Sequence, residues 1–228
     1  MSLIFDDASN EMLIYSSTPV TGAPFSIVAF VNADVENINA DAVSLADASA
    51  DDQYFALRCD NTGRIEYHVQ AGATAVSVDA AGTLVAGTWQ AVVIIERTTA
   101  DRSIWTPGDV ETTDTTSATP TGIDRIGIGG RATLTLTNEF SDKIAFVGIY
   151  DVALTAHEAK QFLRGADPYS IRRPRLKFYV PCNQPAAKSR DVVGGQLVGT
   201  VQGSPTLSYD NPPVARLGAR VRSRLVRV

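Results

Sequence analysis

Residues 140–165, FSDKIAFVGIYDVALTAHEAKQFLRG, constrain this chain more than any other stretch. Between Lys143 and Asp151 nearly every residue is apolar or aromatic. Ile144, Phe146, Gly148 and Tyr150 occupy one phase of a period-two alternation, and Ala145, Val147 and Ile149 the other. A strand apolar in both phases is covered on both faces, so this one belongs inside a sheet, not at its edge. A short helix follows, predicted over about residues 155–164. The Thr155 hydroxyl can accept from the Glu158 amide while the Glu158 carboxylate reaches back to Thr155, a capping box. Ala156, Ala159, Lys160, Gln161, Leu163 and Arg164 tolerate or favour helix; Gly165 supplies a left-handed stop, and Pro168 lies just beyond. Leu154, Phe162 and Leu163 give this helix an apolar side to lay on a sheet.

The remainder reads as short strands. Residues 3–5 and 11–15 flank an Asp-Asp-Ala-Ser-Asn turn, and Phe25 to Asn32 is apolar in both phases. Gln53–Cys59 and Ile65–Gln70 are joined by Asp60-Asn61-Thr62-Gly63, where Asn and Gly suit positive φ. In the second of these strands Ile65, Tyr67 and Val69 share one phase and Glu66, His68 and Gln70 the other, so His68 reads as solvent-facing. Thr88 to Arg97 follows the Ala86-Gly87 turn. Its Trp89 reads as packing, with sugar stacking as the second reading. Arg102–Thr106 closes a hairpin around Thr98–Asp101. Residues 107–122 are Thr-rich with two prolines and read as a mobile hairpin tip or a ligand loop, with Asp109, Asp114 and Thr115 as its candidate contacts. In Asp124–Gly130, DRIGIGG, the alternation of Ile with Gly implies a strand that another backbone approaches closely.

These landmarks resemble, in order, the laminin-G-like (concanavalin A-like) jelly-roll family. Leu3, Phe5 and Asp6 match its opening strand; Phe25, Ile27 and Phe30 the next, with Phe30 where Trp is usual. Gly87-Thr88-Trp89 and Ile128-Gly129-Gly130 match later strands. Phe140, Ile144, Val147, Ile149, Tyr150, Ala153, Leu154 and Glu158 match the closing block, where Asp142 and Ala145 depart from the family's Gly and Asp. The resemblance covers residues 1–165. It implies an all-β, two-sheet antiparallel sandwich with one short capping helix.

Members of that family usually begin with a strand and a Gly-rich turn that here have counterparts at the far end: Leu176, Tyr179 and Pro181, then Asp191, Gly194, Gly195, Gly199, Thr200 and Gly203. Two readings stand, a circularly permuted sandwich or a separate extension. The first is preferred, because a sandwich lacking those strands would expose an edge. The chain therefore divides into a sandwich at 1–168, completing strands at 169–213 and a basic arm at 214–228.

Several functions are disfavoured. Glucanases of this fold use a carboxylate pair on alternate positions of one strand, E-x-D-x-E. Here Glu36, Glu66, Glu96, Glu111 and Glu139 stand apart. There is no G-x-S-x-G, H-E-x-x-H or P-loop, and His68 and His157 are the only histidines. A non-enzyme is expected. No apolar run approaches the ~20 residues of a membrane helix. The N-terminus lacks the basic start of a secretory signal, so synthesis in the cytoplasm is expected, with a removed leader left open. Cys59 and Cys182 match no metal motif and are expected as free thiols. Many members of the resembled family bind Ca²⁺ through loop oxygens. Asp109 with Asp114, or Asp60 with Asn61, could contribute, but no motif supports it, and no metal or other cofactor is assigned.

Charge is uneven. The net charge is −5, yet the last fifteen residues hold Arg216, Arg220, Arg222, Arg224 and Arg227 and no acid. Strand-like alternation of Arg220, Arg222 and Arg224 suits pairing with the sheet edge of an acidic neighbour; a free basic tail is the alternative. The acidic body disfavours nucleic acid. A single laminin-G-like domain ending in Asp210-Asn211-Pro212-Pro213 also resembles phage-encoded members. The first expectation is accordingly a non-catalytic virion subunit, a capsid decoration protein of a tailed phage that contacts capsid proteins and its own copies. The second is a lectin-like module binding bacterial surface glycans.

Overall fold

The computed structural model describes residues 1–33, 39–186, 189–195 and 198–213. The arm at 214–228, with its five arginines, lies outside the described residues, as does Glu36. The first strands are β1 (Ser2–Phe5), β2 (Met12–Tyr15), β3 (Phe25–Asn32), β4 (Ala40–Ala46), β5 (Gln53–Cys59) and β6 (Arg64–Ala71). Then come β7 (Thr74–Thr83), β8 (Gln90–Thr98), β9 (Asp101–Thr106), β10 (Val110–Asp114), β11 (Arg125–Ile128), β12 (Arg131–Ala132) and β13 (Leu136–Thr137). The interior strand β14 (Asp142–Tyr150) leads into helix α1 (Ala156–Leu163), followed by β15 (Leu176–Val180), β16 (Thr200–Gln202) and β17 (Thr206–Ser208).

Two antiparallel sheets pack face to face. One runs β10-β9-β8-β3-β14-β1-β17, with β15 also on β14; the other runs β16-β2-β11-β4-β5-β6-β7. The resemblance to a two-sheet jelly roll is correct in this respect. Strand β14 bonds to β3 along one side; on its other side it takes β1 at Asp142–Ile144 and β15 at Val147–Tyr150. Strands from residues 169–213 thus enter both sheets: β15 pairs with β14, β16 with β2 and β17 with β1. Asp191 secures the turn between them by accepting from the amides of Tyr179, Val193 and Gly194 at 2.8–2.9 Å.

The strict alternation expected in β14 fails at one point. Its register against β3 shifts between Ala145 and Gly148, and Phe146 has φ +54°. This bulge inserts one residue, so Ile144 joins Val147 and Ile149 in the core between the sheets, while Ala145 and Tyr150 face α1. The capping box forms as expected, Thr155 Oγ1 accepting from the Glu158 amide at 3.3 Å and the Thr155 amide donating to Glu158 Oε2 at 2.8 Å. Ala159 and Phe162 bury the helix's apolar side against Val28, Phe30, Val93 and Trp105, sealing the outer face of the eight-stranded sheet.

Between the sheets lies one feature the sequence reading left unpaired. Glu96 and Arg102 face each other across the β8–β9 hairpin, both essentially without exposure. Arg102 Nε donates to Glu96 Oε2 at 3.0 Å and one terminal nitrogen donates to Oε1 at 3.1 Å; Tyr67, from the opposite sheet, donates its hydroxyl to Oε2 at 2.9 Å. The same terminal nitrogen also donates to the Thr99 carbonyl at 2.7 Å, and the other donates to that of Thr116 at 2.9 Å. Residues 107–122 are therefore not an unstructured tip. They form β10, then a return segment whose carbonyls a buried arginine holds.

Neither cysteine is in a disulfide, and both are buried. Burial pushes the Cys182 thiol up to about 12, against a smaller lowering by a hydrogen bond from the Val147 backbone. Neither thiol should react with a disulfide reagent at pH 8 in the folded protein, whereas both should after unfolding. Rapid native labelling of Cys182 would contradict this packing.

Candidate functional site

The seven-stranded sheet presents a different outer face. Val43, Leu45, Phe55, Leu57, Ile65, Tyr67, Val69, Val76 and Val78 turn to the core. The alternate positions must then turn outward, and they are polar. Cross-strand register aligns Asp41 (β4) with Arg58 (β5), Arg58 with Glu66 (β6), and Glu66 with Asp79 (β7), a ladder of charge across four strands. The neighbouring row aligns Ser44, Ala56, His68 and Ser77.

Arg58 holds the ladder together. Its Nε donates to Asp41 Oδ1 at 2.8 Å, one terminal nitrogen to Glu66 Oε1 at 3.1 Å, and the other to the Tyr54 hydroxyl at 3.2 Å. Arg131, from β12, donates to the second Asp41 oxygen at 2.7 Å and stacks its guanidinium 3.8 Å from the Tyr54 ring centroid. His68 stacks near-parallel to Tyr54 at 5.6 Å. Its Nδ1 lies 2.9 Å from Ser77 Oγ and 3.4 Å from Glu66 Oε1. Burial alone would raise the Glu66 carboxyl. The His68 hydrogen bond, the charges of Arg58 and His68, and Ser77 outweigh it, so Glu66 stays ionised below the usual glutamate range.

The face is half covered. Ser44 donates to the Gly130 carbonyl at 2.9 Å and accepts from the Ala132 amide at 3.2 Å, while Ala132 and Leu136 pack on Met12 and Ile14. The β12–β13 hairpin so lies over the β2–β11–β4 side. The β5–β6–β7 side stays open, with His68 and Gln70 half-buried and Ser77 and Asp79 exposed. His68 is thus part of a hydrogen-bonded network, not the free surface side chain that alternation alone implied.

Two of the three loop residues expected as contacts are engaged within the chain. Asp109 pairs with Arg164 at 2.5 Å, and Asp114 accepts from the Thr116 amide at 2.7 Å and lies 3.8 Å from Arg102. Thr115 is exposed. Asp109 and Asp114 stand at opposite ends of β10. Asp60 comes within 4.8 Å of Glu66 and Asp79 through its carboxylate oxygens. Asp60 already accepts from the amides of Thr62 and Arg64 and from the Thr62 hydroxyl, which suits a turn-forming carboxylate as well as a ligand. Tyr54, Asp41, Arg58, Arg131 and Ser77 were not singled out by sequence. The available signal was the outward phase of Arg58 and Glu66 on neighbouring strands, but aligning them needed the register.

This is a jelly-roll sandwich with one sheet sealed by a helix and the other presenting a polar outer face. Residues 6–160 match the family described as the concanavalin A-like lectin/glucanases superfamily, and the chain belongs to it. No curated protein matches the sequence. Among solved structures, one similar chain is a candidate carbohydrate binding protein from Bacteroides ovatus, at 19% identity and TM-score 0.64, covering 94% of this chain and 61% of that one. This protein therefore spans less than two thirds of that relative. The Limulus polyphemus SAP-like pentraxin matches at 11% identity and TM-score 0.57 over 76% of this chain and 84% of its own. The CBM40 of Ruminococcus gnavus IT-sialidase, bound to α2,3-sialyllactose, matches at 17% identity and TM-score 0.56 over 72% of this chain and 98% of its own. At these identities the likeness is one of fold.

Proposed function

We propose that this protein is a non-catalytic carbohydrate-binding module whose glycan lies across β5–β7, over His68, Gln70 and Ser77. The observation that carries this reading is the asymmetry of the two outer faces. Helix α1 and an apolar cluster close one, while the other holds polar side chains in fixed positions beside an open strip. Hydroxyl-rich ligands need donors and acceptors already aimed, and Arg58, Glu66 and Tyr54 hold His68 and Ser77 in place. The fold-level likeness to carbohydrate-binding structures supports the reading by analogy. Absence of catalysis is part of the proposal: Asp41 and Glu66 are each tied to an arginine, not poised as an acid and a base.

The virion-subunit expectation rests on the basic arm and the resemblance of Asp210–Pro213 to phage-encoded members. Neither involves the described polar face, so the glycan reading stands ahead of it. Glycan-array screening followed by calorimetry tests the proposal. The double variant His68→Ala/Ser77→Ala should weaken binding by about 10-fold or more, the effect of losing one to two hydrogen bonds. Binding unchanged in that variant, or no glycan bound by the intact protein, would reject it.

A further inference from the structure

At one end of the sandwich a cleft of about 380 Å³ opens between the end of β7, the chain entering β8 and the β9–β10 turn. This volume lies within the roughly 300–1,000 Å³ span of small-ligand sites. Trp89, Val85 and Val110 supply its apolar surface, and Thr83, Gln90 and Thr106 its hydroxyl and amide groups. Val85 and Val110 are exposed large hydrophobics. Among the described residues, no charged side chain lines the cleft.

We infer that the Trp89 cleft is a second subsite, taking one uncharged pyranose ring. A pyranose has an apolar C–H face and a rim of hydroxyls, the same mixture that lines this cleft. An aliphatic ligand would leave Thr83, Gln90 and Thr106 unpaired, and an anionic one would enter without a counter-charge. An indole ring offers a broad apolar face for a sugar's C–H side. Thr83 stands six residues from Ser77 along β7, roughly 20 Å at strand spacing, so the subsite is separate from the polar face. This inference rests on the glycan reading above but concerns different residues.

The test uses the intact chain and the indole N–H resonances, which number two because the chain has two tryptophans. Trp89→Phe assigns the Trp89 signal. Titration with neutral methyl glycosides and short neutral oligosaccharides should shift that signal and leave the Trp105 one in place. Trp89→Ala should lose at least 10-fold in affinity for neutral sugars, and Trp89→Phe should lose less. If Trp89→Ala unfolds, Val110→Arg, at the exposed mouth, should block the same binding. Neutral-sugar affinity equal to wild type in Trp89→Ala or Val110→Arg overturns the subsite. So does a protein that binds glycans through the His68 face alone, with the Trp89 signal unshifted. A protein that binds no glycan overturns both readings.

Discussion

Replacing Arg102 by methionine is expected to destabilise the fold by about 3–5 kcal/mol, the usual effect of removing one partner from a buried ion pair. Glu96 would keep one hydrogen bond, from Tyr67, and its charge would have no counter-ion between the sheets. The carbonyls of Thr99 and Thr116 would lose a donor in the same step. Urea denaturation should show a lower midpoint at an unchanged slope. A double replacement, Arg102→Met with Glu96→Leu, should recover part of the loss, because no uncompensated charge remains. The pH dependence has a definite sign. Burial raises the Glu96 carboxyl above its ordinary value, outweighing the lowering by Arg102 and Tyr67. A carboxyl raised in the fold contributes stability that is full below the unfolded value, about 4.3, and lost as pH rises through the raised one. Without Arg102 that rise grows, so the deficit of Arg102→Met should be smaller at pH 5 than at pH 8. A loss below 1 kcal/mol at pH 8 would mean that the pair is not the anchor described.

Gly129→Ala should cost about 2–5 kcal/mol, from two separate causes. Gly129 has φ +85°, where an L side chain costs about 1–2 kcal/mol. A Cβ there would also fall 2.3 Å from the Phe5 ring, and overpacking of a filled core adds roughly 1–3 kcal/mol. Gly63→Ala separates the two. Gly63 has φ +75° but nothing within 4 Å of its Cβ position, so it should show the backbone cost alone. Equal losses at both positions, read by thermal unfolding, would remove the close-approach explanation.

Local signals placed much of the sandwich. The capping box at Thr155 and Glu158 and the turn at Asp60–Gly63 appear where their chemistry put them, though only Gly63 and not Asn61 takes positive φ. The Gly-rich run at 127–130 marked a close approach: a Cβ on Gly127 would meet the Gly130 carbonyl and Ser44 Oγ at 2.5 Å each. Strands β4 and β7 were not read. Ala40–Ala46 is rich in small residues, and β7 is an edge strand whose inward valines alternate with exposed alanine, serine and aspartate. Weak local propensity becomes a strand there only because a neighbour supplies the hydrogen bonds.

Sequence by itself determined which side of each regular strand is apolar, where the helix starts and stops, and where only glycine fits, because these depend on residues a few positions apart. Only the tertiary structure decided the bulge at Ala145–Phe146, the Glu96–Arg102–Tyr67 cluster and the ladder from Asp41 to Asp79. Each depends on register between strands far apart in the chain, and a shift of one residue would turn every side chain to the opposite face. Arg58 is a polar residue in a strand until closure of the sheet places Asp41 on one side and Glu66 on the other. The candidate site exists because that closure aligns the outward phases of four strands.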